Sequence, residues 1–233
     1  MKNYLRKTKT QFTMIGLVAA ALCLVMVSGQ ARATVILDQS WTINTQCGGD
    51  CFGSTYRLII DDGGTNDNSF SARLIVDASA YVPPAGKADY LFISAVDFKP
   101  ASNVSSASLT AAPGGIAGWN LSFNSGQVSA DCSGSGNGFV CTNDSGTNNL
   151  APVPHAPYEW DFNFALSAGK NNSDITFGHL GTQYCNASDT CTGVIVSINQ
   201  PGTSQVPEPS TLLLLGAGLV ALSFFARSRL GRQ

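Results

Sequence analysis

Apolar and polar residues alternate through most of residues 34–199, which is the period of a strand with one buried face. In YEWDFNFAL, at 158–166, the aromatic side chains fall on one face and most acidic and amide side chains on the other. Similar runs predict further strands at 34–44, 55–61, 70–78, 89–98, 118–124, 174–180 and 193–199. About eight such strands indicate an all-β fold, an antiparallel β-sandwich with a jelly roll as one form.

The segments between the predicted strands are rich in Gly, Asn, Asp and Pro, and we interpret them as turns, including CSGSGNG at 132–138. No segment of this region has a helical stripe, and KPASNVSSASLTAAPG at 99–114 is the best candidate for a short helix or a long loop. The region contains no internal repeat of fixed period. We therefore predict one β-sandwich domain at 34–199, followed by a polar linker at 200–205.

The first 33 residues have the three parts of a secretory signal peptide. A basic segment ends at Lys9, an apolar run follows at 14–27, and Ala31-Arg32-Ala33 forms a cleavage site. The alternative is an uncleaved membrane anchor, but this run of 14 residues is short for a span that needs about 20. We predict cleavage after Ala33 and export across the inner membrane.

The C-terminal segment 206–233 combines a proline motif, an apolar run and a basic end. Its two prolines fix φ and lack the N–H donor, so they end any preceding strand. Residues 211–226 are almost wholly apolar, and as a helix they would span about 24 Å, less than a hydrocarbon core of about 30 Å. Arg227 and Arg229 follow and predict a cytoplasmic end. The alternative, a buried helix of a soluble domain, fits poorly because leucines cover every side of the helix.

This segment resembles the PEP-CTERM sorting signal of exported bacterial proteins, through Val206, Pro207, Glu208 and Pro209, the apolar helix and the terminal arginines. The three parts match in order, over 28 of the 233 residues. The resemblance implies recognition by exosortase, a membrane-embedded, cysteine transpeptidase-like enzyme, and cleavage near the PEP motif. It also implies a transient C-terminal membrane anchor, with the body then released or attached to the cell surface. Such proteins occur in Gram-negative bacteria that make exopolysaccharide and biofilm, and their bodies are diverse.

Charge is distributed unevenly between the body and the ends. The full chain has a formal net charge of −2 at pH 7. Between residues 34 and 206, however, five basic residues stand against 14 acidic ones, a net charge of −9. Nucleic-acid phosphates need basic contacts, so we expect no nucleic-acid partner.

Six cysteines remain once the signal peptide, which contains Cys23, is removed. An even number in an exported chain indicates disulfides, although six cysteines allow 15 connectivities. Their spacing forms three local couples, so we predict the bonds Cys47–Cys51, Cys132–Cys141 and Cys185–Cys191. The alternative is a zinc site, but the spacings differ from the usual C-x2-C.

The acidic segment DDGGTNDN at 61–68 joins two predicted strands and is a candidate calcium site. Carboxylate oxygens of Asp61, Asp62 and Asp67 suit calcium, which takes six to eight oxygen ligands. The segment lacks the EF-hand spacing. The alternative is a β-hairpin with Asx turns, which also accounts for its Asp, Asn and Gly residues. We favour the hairpin and expect no cofactor other than this candidate calcium ion.

Candidate catalytic residues are few. His155 and His179 are the only histidines, and neither belongs to a recognisable nucleophile or metal motif. Glu159 and Asp161 lie on one face of a predicted strand and could form the carboxylate pair of a glycosidase. The alternative is the solvated face of an amphipathic strand, which we favour.

The sequence leaves three functions open. The first is a non-enzymatic surface or matrix protein, associated with extracellular polysaccharide after exosortase processing. The second is a carbohydrate-binding module, with or without a requirement for calcium. The third is a secreted hydrolase. We predict the first, because the processed, disulfide-bonded β domain contains no recognisable catalytic set.

Overall fold

The computed structural model describes residues 35–42, 47, 50–63, 67–101, 103–128, 131–146, 151–188, 191, 195–199 and 201–204. The predicted signal peptide and the C-terminal segment from residue 205 onward lie outside these ranges. The described ranges contain strands and short turns of 3-10 helix, at Ile116–Gly118 and Asn172–Asp174. No helix within them is long and apolar enough to cross a bilayer.

The strands form two antiparallel sheets. In chain order they are β1 (Val35–Trp41), β2 (Thr55–Asp61), β3 (Ser69–Ala78), β4 (Phe92–Lys99), β5 (Val104–Ala111), β6 (Trp119–Val128), β7 (Asp131–Asp144), β8 (His155–Leu166), β9 (His179–Cys185), β10 (Ile195–Ile198) and β11 (Thr203–Ser204). Sheet A has the order β11-β1-β2-β3-β8-β5, and sheet B has the order β10-β9-β4-β7-β6. The all-β, two-sheet architecture predicted from the alternating pattern is therefore confirmed.

The chain passes repeatedly between the two sheets. Strands β1, β2 and β3 form a meander in sheet A, whereas β6–β7 and β9–β10 are the hairpins of sheet B. The connections from β3 to β4, β4 to β5, β5 to β6, β7 to β8 and β8 to β9 each move from one sheet to the other. Sequence neighbours are thus often separated in space, and the sandwich is closed by contacts between residues distant in the chain.

Aromatic side chains join the inner faces of the sheets. Phe98 of β4 lies edge-on against Phe162 of β8, with ring centroids 5.2 Å apart. Trp119 of β6 meets Trp160 of β8 at 5.4 Å, also edge-on. Trp160 is fully buried, and truncating such a residue to alanine typically costs about 3–5 kcal/mol. These contacts explain the alternating aromatic residues of β8, which form one wall of a single core.

Three sequence predictions about local structure are wrong. Residues 99–114 contain the edge strand β5 instead of a helix or loop. Residues 132–138, interpreted as a turn, belong to the 14-residue strand β7. Residues 174–180 do not form a strand of their own, because β9 begins only at His179. Their alternation has another cause, since Ile175 is buried and Phe177 packs on Trp41 with ring centroids 4.8 Å apart.

The segment 200–205, expected to be a linker, contributes to the fold. Thr203 and Ser204 pair with Ser40 and Gln39 of β1, so they form the edge of sheet A. The Gly202 amide donates to Gln39 Oε1 at 2.9 Å. Pairing therefore continues to residue 204.

The three disulfides join neighbouring cysteines, as the spacing predicted: Cys47–Cys51, Cys132–Cys141 and Cys185–Cys191. Each closes a short loop, with sequence separations of 4, 9 and 6 residues. Such bonds stabilise a fold mainly by restricting the unfolded chain, by about 2–3 kcal/mol for loops of this size.

Candidate functional site

The outer face of sheet A is a polar surface built by the alternation of β3, β5 and β8. Inward side chains of these strands fill the core, so every second residue points to solvent. Register aligns one row across four strands: Asp61 pairs with Ser71, Ser71 with Asn163, and Asn163 with Ser108. Adjacent strands lie about 4.8 Å apart, so the row spans three such steps. The sheet therefore presents hydroxyl, amide and carboxyl groups in regular array.

A groove of about 630 Å³ runs along this face. We call it the sheet A groove and define it by its lining residues, which come from β3, β5, β8 and the β2–β3 turn: Asp62, Gly63, Asp67, Ser69, Phe70, Ser71, Ser106, Ala107, Ser108, Asn163, Phe164 and Ala165. Its two aromatic residues, Phe70 and Phe164, are buried and stack on each other at 5.3 Å. The groove therefore combines apolar surface, to which Ala107 and Ala165 also contribute, with the polar groups of its serines, Asn163 and aspartates.

The candidate carboxylate pair of β8 lies next to this groove and is held by an arginine. Arg73 Nε lies 2.9 Å from Glu159 Oε1 and 3.2 Å from Asp161 Oδ1. All three side chains are partly exposed. Both carboxylates thus share one cation across the β3–β8 pair, which is the arrangement of a solvated ion-pair network on a strand face.

The β2–β3 turn confirms the predicted hairpin, since the two strands pair antiparallel from Thr55–Asp77 to Asp61–Ser71. Asp61 Oδ1 accepts from Ser71 Oγ at 2.7 Å, and Asp67 Oδ1 accepts from the Ser69 amide at 2.7 Å. Asp62 is buried, and its Oδ2 accepts from Asn172 Nδ2 at 2.6 Å. Residues 64–66 of this turn lie outside the described part of the chain. Calcium binding by the three aspartates stays a prediction.

The outer face of sheet B, in contrast, is covered by the hairpin of β6 and β7. The Gln127 amide donates to Asp97 Oδ2 at 2.9 Å, and the Phe139 ring packs edge-on against His179 at 5.4 Å. Two disulfides, Cys132–Cys141 and Cys185–Cys191, lie on the same face, because Cys141 pairs with Asp97 and Cys185 lies four residues beyond Gly181. Strands β4 and β9 are therefore buried on both faces.

A polar cluster lies beneath this cover. We call it the Asp97 cluster and define it as Asp97, Gln127, His179 and Asn199. Asp97 has only 1% of its side chain exposed, and its Oδ1 lies 3.4 Å from His179 Nε2. On the other side of the ring, His179 Nδ1 lies 2.8 Å from Asn199 Oδ1. Both ring nitrogens therefore face an oxygen atom, and Nδ1 is within hydrogen-bond distance of its partner.

Opposing effects act on His179. Burial lowers the pKa of His179, but the close contact with Asp97 and its charge, together with the hydrogen bond to Asn199, outweigh burial and the nearby Lys99. The resulting pKa is above the ordinary histidine value. The cluster therefore favours positive charge at the His179 ring.

The two histidines named from the sequence are not brought together. His155 lies at the start of β8 in sheet A, is exposed, and stacks on Tyr158 at 4.5 Å. His179 starts β9 in sheet B. Sequence analysis missed Asp97 and Gln127 altogether. The one available signal was a charged residue inside the mostly apolar segment FISAVDF, where a buried carboxylate needs a partner.

Comparison with known proteins identifies the C-terminal end. Residues 205–229 carry a PEP-CTERM protein-sorting motif. The match contains all six residues predicted from the sequence to form the sorting signal: Val206, Pro207, Glu208, Pro209, Arg227 and Arg229. No curated protein and no solved structure matches the chain. The motif implies an exosortase-processed protein that is exported and sent through the membrane toward the cell surface.

Proposed function

We propose that the body of this exosortase substrate is a non-enzymatic matrix protein, and that it contacts extracellular polysaccharide through the sheet A groove. The observation that carries the proposal is the row of exposed polar side chains along a groove of about 630 Å³ on an outer sheet face. Open sheet faces of β-sandwiches suit extended ligands, because each strand contributes a side chain at regular spacing.

The groove chemistry favours neutral sugars. Ser71, Ser106, Ser108 and Asn163 offer hydroxyl and amide groups that can donate and accept, as sugar hydroxyls require. The body carries a net charge of −9, so an anionic polymer would be repelled. The groove has no exposed aromatic platform among its described lining residues, so each contact is weak. Many copies on one surface would compensate through avidity.

The placement of the carboxylates supports a non-enzymatic role. Glu159 and Asp161 are both partly exposed, and both contact the same Arg73 Nε, at 2.9 and 3.2 Å. The two carboxylates of a glycosidase instead flank the glycosidic bond that is cleaved. A secreted hydrolase remains the rival hypothesis, and turnover of a polysaccharide by the purified protein would support it.

Sedimentation of the purified, exported protein with insoluble neutral polysaccharides tests the proposal. Ser108→Trp places a bulky ring in the groove and should abolish co-sedimentation. Ser188→Trp is the matched control, because Ser188 is exposed in the turn after β9, outside the groove. Equal binding by both variants, or no binding by the wild type to any neutral or anionic polymer, would contradict the proposal.

Calcium dependence is the second candidate, because Asp62, Gly63 and Asp67 line one end of the same groove. Addition of EDTA to the sedimentation assay distinguishes calcium-dependent binding from binding through direct polar contacts. Loss of binding in EDTA, with recovery in excess calcium, would favour a calcium-dependent module. Unchanged binding would leave the direct polar contacts as the explanation.

A further inference from the structure

Three polar atoms converge above Gly181 on the outer face of sheet B. A methyl group at Gly181 would lie 2.3 Å from Asp97 Oδ1, 2.9 Å from Gln127 Oε1 and 3.1 Å from His179 Nε2. Real Cβ atoms essentially never approach other atoms closer than 3.0 Å, so a side chain at this position would displace these groups. The backbone of β9 here is not left-handed, since no positive φ occurs at this glycine. Glycine is therefore required because the three side-chain atoms lie so close to its backbone.

These atoms are buried without full hydrogen bonding. Asp97 Oδ1 and both amide atoms of Gln127 have no hydrogen-bond partner within the described residues. A buried acceptor left unpaired costs about 1–3 kcal/mol, and such groups therefore indicate a missing partner. Asp97 Oδ2, in contrast, is satisfied by the Gln127 amide. The unpaired oxygen is the one that faces His179.

The histidine tautomer sharpens this argument. Asn199 Oδ1 is an acceptor, so it requires a proton on His179 Nδ1. Neutral His179 then presents the lone pair of Nε2 to the lone pairs of Asp97 Oδ1, and only a cation between them makes the arrangement favourable. A proton is one such cation. A metal ion is the other, and metal-bound histidines commonly donate their second N–H to an oxygen in this way.

We propose that Asp97 Oδ1, His179 Nε2 and Gln127 Oε1 bind one first-row divalent transition-metal ion of the Zn²⁺ type. One imidazole and two oxygens are ligands suited to zinc, and a water would complete four-coordination. The distance of 3.4 Å between Asp97 Oδ1 and His179 Nε2 matches the edge of about 3.3 Å expected for a tetrahedron with bonds of about 2.0–2.1 Å.

The position of the cluster near solvent and the lack of free thiolates in the described residues also favour metal binding there. The His179 side chain is 17% exposed, so the cluster lies close to solvent. All six cysteines of the body are in disulfides, so no thiolate competes for the ion. One charge opposes binding, since Lys99 lies over the Phe139 ring at 5.1 Å, next to the cluster. The site is independent of the sheet A groove, which lies on the other sheet.

Calorimetric titration of the exported protein with ZnCl₂, in excess Mg²⁺ and without a histidine tag, tests the site. We expect one Zn²⁺ per chain. Replacing a residue that only orients a ligand weakens metal binding about 10–100-fold, so Asn199→Ala should weaken it about tenfold and His179→Gln by more. His155→Gln is the matched control, because this exposed histidine lies on the other sheet and should leave affinity unchanged.

A second measurement tests the geometry. Co²⁺ in place of Zn²⁺ should give the intense visible bands of a tetrahedral site, and His179→Gln should remove them. Circular dichroism of each variant identifies any that fail to fold, and Asn199→Ala, at an exposed position, provides a folded variant for the comparison. No Zn²⁺ binding by the wild type, or equal binding by the His179→Gln and His155→Gln proteins, would show that only a proton bridges Asp97 and His179.

Discussion

The two outer faces of this sandwich arise from the same alternation of residues, but one is exposed to solvent and the other is covered. On sheet A, outward residues such as Asn163 and Ser108 stay in solvent and line a groove. On sheet B, the outward residues Asp97, Gly181 and Gln183 are buried under the β6–β7 hairpin and two disulfides. The outer face of sheet B therefore forms a second buried layer, which is polar. A strand residue that points away from the core is thus exposed only where no other segment of the chain covers it.

Small residues make the cover possible. A methyl group at Gly134 would lie 2.7 Å from the Gly126 carbonyl oxygen across the β6–β7 pair, so the hairpin packs backbone to backbone there. The Cys132–Cys141 bond then joins the hairpin's second strand to itself, on the face above β4. The glycine-rich segment therefore forms a thin cover instead of a loop.

The largest difference between the two faces should appear in the unfolding free energy when one aspartate is replaced on each face, in two separate variants. Asp97→Ala deletes a buried carboxylate that accepts from the Gln127 amide and lies 3.4 Å from His179 Nε2, and breaking such a buried pair costs about 3 kcal/mol of unfolding free energy. Asp161→Ala removes a partly exposed carboxylate on β8 and should cost less than about 1 kcal/mol. Urea unfolding of both variants measures the difference. Equal costs would show that the two faces are energetically alike.

Loss of the disulfide in the cover should have the next largest effect. A double Cys132→Ser, Cys141→Ser variant should lose about 2–3 kcal/mol. Hydrogen exchange should show the loss of protection mainly in β6 and β7, with sheet A little changed. The corresponding double variant at Cys47 and Cys51 is the control, because its bond lies outside this hairpin. Uniform loss of protection in both variants would contradict a local role for the cover.

Alkaline pH should destabilise the core that lies between the two sheets. Burial, only partly offset by hydrogen bonds with Ser54 and Tyr56, raises the pKa of Tyr184 from 10.0 to about 12. Burial also raises the pKa of Tyr56. Above pH 10 the unfolded chain loses phenolic protons that the folded chain retains, so stability is full below pH 10 and falls as pH rises toward 12.

Thermal unfolding between pH 9 and 11.5 measures this dependence. Tyr184→Phe removes one of the titrating groups and should flatten the decline, at a cost of about 1 kcal/mol at neutral pH for the lost hydrogen bonds. A decline of the same steepness in the variant would mean that other groups cause the alkaline loss.

The smallest effect should come from the open face. Asn163→Ala and Ser108→Ala replace exposed residues and should change the unfolding free energy by no more than about 0.5 kcal/mol. The same substitutions should nevertheless weaken polysaccharide sedimentation if the groove is the contact surface. A large stability change at either position would show that the outer face of sheet A is structural.

The sequence predicts strands best where one face is strongly apolar. TYRLIID at 55–61 corresponds to β2 with both ends correct, because Tyr56, Leu58 and Ile60 are large core residues. Strand β5, VSSASLTA, was missed because two small residues, Ala107 and Ala111, stand among its inward positions, so the apolar alternation is weak at this edge of the sheet. The Gly- and Ser-rich start of β7 pairs through its backbone, which leaves no side-chain signal.

The site is less predictable than the fold for a topological reason. The exposed face of β8 could be predicted from the alternation around Asn163, and the groove follows from its neighbours in the sheet. The Asp97 cluster joins residues 97, 127, 179 and 199, which belong to β4, β6, β9 and the end of β10. Nothing in a local pattern specifies that these strands meet, because the order of strands in sheet B depends on crossovers between the sheets.

The pairing of Thr203 and Ser204 with β1 fixes the place on sheet A from which the sorting motif continues. The sorting motif begins at residue 205, immediately after this edge strand. Strand β11 is the first strand of sheet A and β5 the last, five strand spacings or about 24 Å away. An anchor attached through this motif would hold the β11 edge of sheet A nearest the anchoring surface and the groove, between β3 and β5, toward the opposite edge, where long polymers could reach it.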